Sequence, residues 1–260
     1  LVLAAIGSRR RPGDRALWSL KGGMGRLIRA LEDSAGRSLH LSAPVLTLER
    51  DGDPARPEWT ARLASGAIAR ADRVVVATPP RAAAALLRTV DPEIARRLGA
   101  IPSAGVAIVS MAFRPQAFRT APDGYGFLVA PGEPVEILGA LFESNLFPGR
   151  APSERVLIRA MLGGAERPDL LTRSDADLVG FAMKALDRAL GLVSGPERTW
   201  VIRQEDAIPQ YEVGHRALLA AIGSGLEGHP SLFLAGSGYR GVSVGSLVED
   251  AERIATRVLA

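Results

Sequence analysis

Glycines 236, 238 and 241, within Ala235-Gly-Ser-Gly-Tyr-Arg-Gly-Val-Ser-Val244, form the pattern in this chain best suited to holding a ligand by backbone alone. Without a Cβ, main-chain atoms can approach a bound group closely. The apolar run Leu232-Phe-Leu-Ala235 precedes the glycines and a helical pattern follows from Ser243, which makes a strand–turn–helix. Spelled literally, G-x-G-x-x-G matches a dinucleotide-binding turn. That fold, however, needs a whole βαβ unit after the turn and an acidic residue about 20 positions on. The sequence given reaches Ala260 first. The turn is therefore expected to serve something other than the opening of a nucleotide domain.

A helix start in this place would aim free N–H groups and roughly half a positive charge at whatever lies beyond it. Negative charge is stabilised there. The N1–C2=O edge of a flavin, anionic when reduced, is one group that suits the site. A plain turn joining a strand to a packing helix uses the same residues, and spacing alone leaves both readings open. A second backbone device is Gly22-Gly23-Met24, after Ser19-Leu20-Lys21, at another helix start.

Side-chain chemistry is sparse. His40, His215 and His229 lie far apart with no second ligand at helical spacing, so no metal site is expected. The chain has no cysteine, which excludes disulfides, thiolate ligands and cysteine nucleophiles. It contains no Walker-type phosphate loop. Asp175 and Asp177 sit in a helix's first turn, where capping explains them better than acid–base work. No catalytic side chain is assigned. The 260 residues are 47% hydrophobic and 23% charged with a net charge of +4, and Lys21 and Lys184 are the only lysines. The one basic cluster, Arg9-Arg10-Arg11, reads as a solvated loop, so no nucleic-acid partner is expected. No apolar run approaches the roughly 20 residues of a membrane-spanning helix.

Periodicity places the elements that must position these residues. Helices are expected over Arg26–Ala35, with Leu27, Ile28 and Leu31 as an apolar stripe, and over 81–87, 174–190, 216–222 and 244–259. Ser174 and Asp177 form a capping box. Strands are expected at 45–49, 59–63, 106–113, 127–130, 135–142, 156–162 and 200–203. Asp72–Ala77 reads as a strand buried on both faces, ended by Pro79-Pro80. The fold class is α/β to α+β, with a mostly antiparallel mixed sheet and flanking helices. Residues 1–91 and 223–260 read as parts of one domain, and 92–222 as another.

Four stretches resemble the flavin-dependent amine-oxidase superfamily, and within it the protoporphyrinogen oxidases. They are Ser19-Leu-Lys-Gly-Gly-Met24; Gly124-Tyr-Gly-Phe-Leu-Val129 with Leu157-Ile-Arg-Ala-Met-Leu-Gly-Gly164; Ala207-Ile-Pro-Gln-Tyr-Glu-Val-Gly-His215; and the glycine turn itself. The resemblance implies FAD as cofactor, with residues 1–91 and 223–260 completing its domain and 92–222 binding substrate. It implies that Val45 meets the adenine end of FAD, and that Gly236, Val242, Ser243 and Val244 face the isoalloxazine ring. Tyr125, Phe127, Leu128 and Met161 would form an apolar wall around a tetrapyrrole. Where the family commonly has Trp, this chain has Gln204, with Trp200 out of register. The implied reaction oxidises protoporphyrinogen or coproporphyrinogen with dioxygen as acceptor, in haem synthesis. The implied setting is cytoplasmic, with possible peripheral association at a membrane. The family's nucleotide-binding half is expected upstream, making this the C-terminal part of a longer enzyme that is inactive alone. The alternatives are another flavin amine oxidase or desaturase with an apolar substrate, and a fragment that binds no flavin.

Overall fold

The computed structural model describes residues 19–51 and 58–260. Arg9-Arg10-Arg11 and the rest of residues 1–18 lie outside them. In chain order, α1 (Gly25–Ala35) precedes β1 (Val45–Asp51), β2 (Glu58–Leu63), β3 (Ile68–Ala71) and β4 (Val74–Val76). Next come α2 (Pro80–Leu87), α3 (Pro92–Gly99), β5 (Ser103–Phe113), β6 (Gly126–Leu128), β7 (Ile137–Phe142) and α4 (Glu143–Leu146). The chain closes with β8 (Val156–Gly163), α5 (Asp175–Leu190), β9 (Arg198–Pro209), α6 (His215–Leu226), β10 (Leu232–Leu234) and α7 (Val244–Leu259).

One compact unit combines residues 19–39 with Ala104–Ala207; the other combines His40–Ser103 with Ile208–Ala260. The boundaries expected at 91/92 and 222/223 are displaced, and residues 19–39 change sides. Packing explains the shift of α3 and α6. Ile94 and Leu98 of α3 share one core with Leu87 of α2 and Ile222 of α6, so both helices group with residues 40–103. A Cβ on Gly225 of α6 would lie 2.9 Å from Ile94 Cγ1, which shows how closely the two helices meet. Residues 19–39 group with the sheet unit through Arg150, whose Nη2 donates to Ser19 Oγ at 2.5 Å.

The first unit is built on a five-stranded sheet ordered β6-β7-β8-β5-β9. β6 pairs with β7, β7 with β8, and β8 with β5, all antiparallel. One face carries Val109, Met111, Phe113, Ile158, Ala160 and Leu162 against Leu178, Ala182 and Leu186 of α5. At α5 the Ser174 side chain accepts from the Asp177 amide and Asp177 answers at the Ser174 amide, so the expected capping box is present. Gly191, in a left-handed conformation, ends that helix. β9 is longer than the expected 200–203. The Glu197 amide donates to Ala112 O at one end, and Gly105 meets the Glu205 and Gln204 carbonyls at the other.

The second unit holds the antiparallel sheet β1-β2-β3 and a parallel pair, β10-β4. Leu232, Phe233 and Leu234 stand opposite Val74, Val75 and Val76. Val76 is buried but Val75, on the opposite face of β4, is 42% exposed, so among the described residues only one face is covered and the expectation of burial on both faces fails. The stripe on α1 is likewise bare, with Ile28 56% and Leu31 59% exposed.

Candidate flavin and substrate sites

The loop between β10 and α7 has the conformation its glycines permit. Gly236 and Gly241 adopt φ +124 and +135, where side-chain-bearing residues are strained. A Cβ on Gly241 would stand 2.6 Å from Ser246 Cβ, and one on Gly238 would run into the Pro80 ring. Both ends of the loop are tied to one side chain. The Tyr211 hydroxyl donates to Ser237 O at 2.5 Å and accepts from the Gly241 amide at 2.9 Å. Its ring stacks on His215 with centroids 4.2 Å apart and planes 12° apart. Desolvation lowers the His215 pKa below the usual imidazole value, which favours a neutral ring in this stack.

Inside the loop, Tyr239 turns into the core at 4% exposure, and burial pushes its hydroxyl up to about 12. Arg240 folds back to Asp250, with Nη1 3.0 Å from Oδ1 and 3.3 Å from Oδ2. Arg253 adds a 2.6 Å bond to the same carboxylate, which is 5% exposed. Burial lowers the Arg240 pKa against the opposing pull of Asp250. These ion pairs staple the loop to the side of α7, away from its first residues.

Those first residues are open. Ser243 is the extended N-cap, its Oγ accepting from the Ser246 amide at 3.1 Å, while Val242 and Val244 are 54% and 50% exposed. The α7 first turn contains no acidic residue, so its positive end keeps its charge for something external. Val242–Gly245, four exposed residues at a helix start without an acidic residue in its first turn, are chemically suited to the anionic edge of a flavin. Val45 belongs to the same compact unit but to another sheet, where it opens β1 at 44% exposure.

The four wall residues lie in the sheet unit, and the sheet divides them. Leu128 pairs with Gly139 and Gly139 with Met161, so Leu128 and Met161 flank bare backbone on the face away from α5. Leu128 is 61% exposed there. Phe127 points the opposite way, into the core, where it meets Phe142 edge-on at 6.3 Å. Tyr125 is half-buried just before β6, its carbonyl accepting from the Phe142 amide at 2.9 Å. Trp200, discounted on register, stands 46% exposed on β9, and Gln204 is exposed on the same strand.

Two further polar pairs are structural. His229 Nε2 lies 3.2 Å from Asp91 Oδ2, and Asp175 holds Arg203 at 2.6 Å. Among the described residues no cluster of His, Asp and Glu is arranged to hold a metal.

Residues 5–259 match the family of flavin containing amine oxidoreductases. The chain is 35% identical over 254 residues to a coproporphyrinogen III oxidase from Propionibacterium freudenreichii subsp. freudenreichii, covering 96% of this chain and 46% of that protein. It is 33% identical over 255 residues to the protoporphyrinogen oxidase of Bos taurus, with coverage of 93% and 51%. The chain thus spans about half the length of these curated relatives. Among solved structures, a protoporphyrinogen oxidase candidate from Exiguobacterium sp. 255-15 superposes with a TM-score of 0.80 at 24% identity, covering 93% of this chain and 52% of that one. Cyclohexylamine oxidase from Brevibacterium oxydans IH-35A superposes at 0.67 with 20% identity, covering 92% and 53%. Both likenesses show the fold, which is that of FAD-dependent amine oxidases. The chain belongs to the flavin-containing amine oxidoreductase family, whose cofactor is FAD.

Proposed function

We propose that this chain supplies the flavin-facing helix and the substrate sheet of a porphyrinogen oxidase in haem synthesis, acting on protoporphyrinogen IX or coproporphyrinogen III. The observation that carries the reading is the uncovered, acid-free start of α7 behind a glycine loop clamped by Tyr211. The names of the relatives supply the substrate class. Bound FAD supplies hydride acceptance, with dioxygen as final acceptor. The residues of this chain do the rest. Amides at the start of α7 stabilise negative charge on the reduced ring. Leu128 and Met161 offer an apolar surface to one face of the substrate macrocycle and exclude water there. The adenine and pyrophosphate parts of FAD need further residues, which we assign to an upstream segment of a longer polypeptide. Without it, the 260 residues bind flavin weakly and are inactive. A cytoplasmic setting with contact at a membrane surface belongs to the same proposal, supported by the poor solubility of the substrate class.

The test is turnover by protein made from the full reading frame. Flavin-loaded enzyme given either porphyrinogen in air should generate porphyrin fluorescence and consume oxygen. A stoichiometric flavoprotein that yields no porphyrin yet oxidises an amine would place it elsewhere in the superfamily.

A further inference from the structure

The open face of the five-stranded sheet extends beyond Leu128 and Met161. Toward the β9 edge, Leu157, Ala112 and Trp200 contribute to a cleft of about 710 Å³. Trp200 is 46% and Ile202 52% exposed in it, whereas Val201 between them packs against the core. Large apolar side chains left bare in a concavity with a few charged groups at its margin are the usual composition of a ligand site.

The charged groups there are arginines, and their partners differ. Glu197 takes Arg155 at 2.6 Å and Arg114 at 2.5 Å, and those two cations hold its carboxyl below the usual range. Arg159, on the same sheet face, is paired with Glu143 at 2.5 Å. Among the described residues Arg150 has only neutral partners, Ser19 Oγ and the Phe147 ring 5.2 Å from its guanidinium carbon. The side chain of Arg198, also lining the cleft, makes no ion pair or hydrogen bond with any described residue. Among the described residues these two guanidinium groups have no counter-charge, and they border a cleft whose lining includes Trp200. A matching ligand is apolar in its body and carries carboxylates at its edge, which arginine grips in bidentate fashion.

Register gives the scale. Met161 lies opposite Ile108 and Leu157 opposite Ala112, so the two rows are four residues apart along the same strands. At ~3.4 Å per residue that is ~14 Å, comparable with the breadth of a substituted tetrapyrrole. One macrocycle lying on this face reaches from the Leu128–Met161 patch to the cleft.

We propose that Arg198 and Arg150, with Trp200 beneath, form a subsite for the propionate carboxylates of the substrate. This rests on the porphyrinogen oxidase reading above, and it adds the residues that read carboxylates. Coproporphyrinogen, with more propionates than protoporphyrinogen, depends on the subsite more strongly.

The experiment uses full-length, flavin-loaded protein and reads binding as well as turnover. Coproporphyrin III and its tetramethyl ester, in the same detergent, are titrated by protein fluorescence quenching. Arg198→Gln is the informative variant, because Arg198 is exposed on an edge strand, whereas Arg150 also tethers Ser19. Losing a charge-assisted bond should weaken coproporphyrin III binding about tenfold or more. Binding of the ester should not change, and KM should rise more for coproporphyrinogen than for protoporphyrinogen. Trp200→Ala should weaken both ligands, with Trp200→Phe restoring most of the loss. Arg188→Gln, a paired arginine remote from the cleft, controls for net charge. Arg198→Gln protein that binds coproporphyrin III as tightly as the parent overturns the subsite, and does so even if turnover is normal. Parent protein that binds the acid through Arg198 but oxidises no porphyrinogen supports the subsite and sinks the oxidase reading. Parent protein that binds neither porphyrin overturns both.

Discussion

Tyr211 shows what a single residue does for the glycine loop. Its hydroxyl meets Ser237 and Gly241, 26 and 30 positions away in sequence, and so fixes the loop that leads into α7. The stretch Ile208–His215 was recognisable as a family marker, but the role of its tyrosine was not legible, since no local pattern signals a bond across that distance. The Arg240–Asp250 pair was hidden for the same reason. The glycines themselves were legible, because positive φ and close approach leave few other choices. Tyr211→Phe removes both bonds while keeping the stack on His215. Water can reach the freed groups, so the cost to stability is on the order of 1 kcal/mol. Flavin affinity should fall several-fold as the loop loosens, as read by titration of the apoprotein. Unchanged affinity would show that the loop holds its shape unaided.

At the level of elements, strong periodicity and caps were readable and weak ones were not. The helix over Asp175–Leu190 appears with its capping box and glycine stop where Ser174, Asp177 and Gly191 place them. The far half of β9 escaped because Gln204, Glu205 and Asp206 break the alternation, and its ladder with β5 is set by tertiary pairing. α3 also escaped, although Asp91-Pro92 is a good start signal: Asp91 Oδ1 accepts from the Glu93 and Ile94 amides at 3.0 and 2.9 Å. The bond from the Ile94 amide, then the neighbouring His229, depress the Asp91 pKa. Its folded value lies below its unfolded one, so the cap's stabilisation is present above about pH 4 and is lost as pH falls through the folded value. Asp91→Ala should lower stability by about 1 kcal/mol at pH 7 and flatten the acid limb of the melting-temperature profile. An acid limb identical to the parent's would assign the pH dependence to other groups.

On the scale of the whole chain, composition and element order gave the fold class, while the grouping of elements needed coordinates. A helix such as α1 has no sequence feature stating which unit it joins, and α3 and α6 meet through a shared core in which Ile94 fits against Gly225. Surfaces also needed coordinates. Phe127 and Leu128 are adjacent apolar residues, and only the strand's alternation sends one inward and the other out. Among the described residues nothing covers the stripe on α1, Val75 of β4 or the start of α7. The chain spans about half the length of its curated relatives, which leaves room for partners to these surfaces in a longer protein.

Amide hydrogen exchange on the full-length protein, with and without FAD, addresses the central claim most directly. Flavin at the amino end of α7 should slow exchange across Val242–Gly245, with Val244 and Gly245 most affected because the helix offers their amides no acceptor. Full flavin occupancy by absorbance, with exchange at those four residues unchanged, would contradict the account.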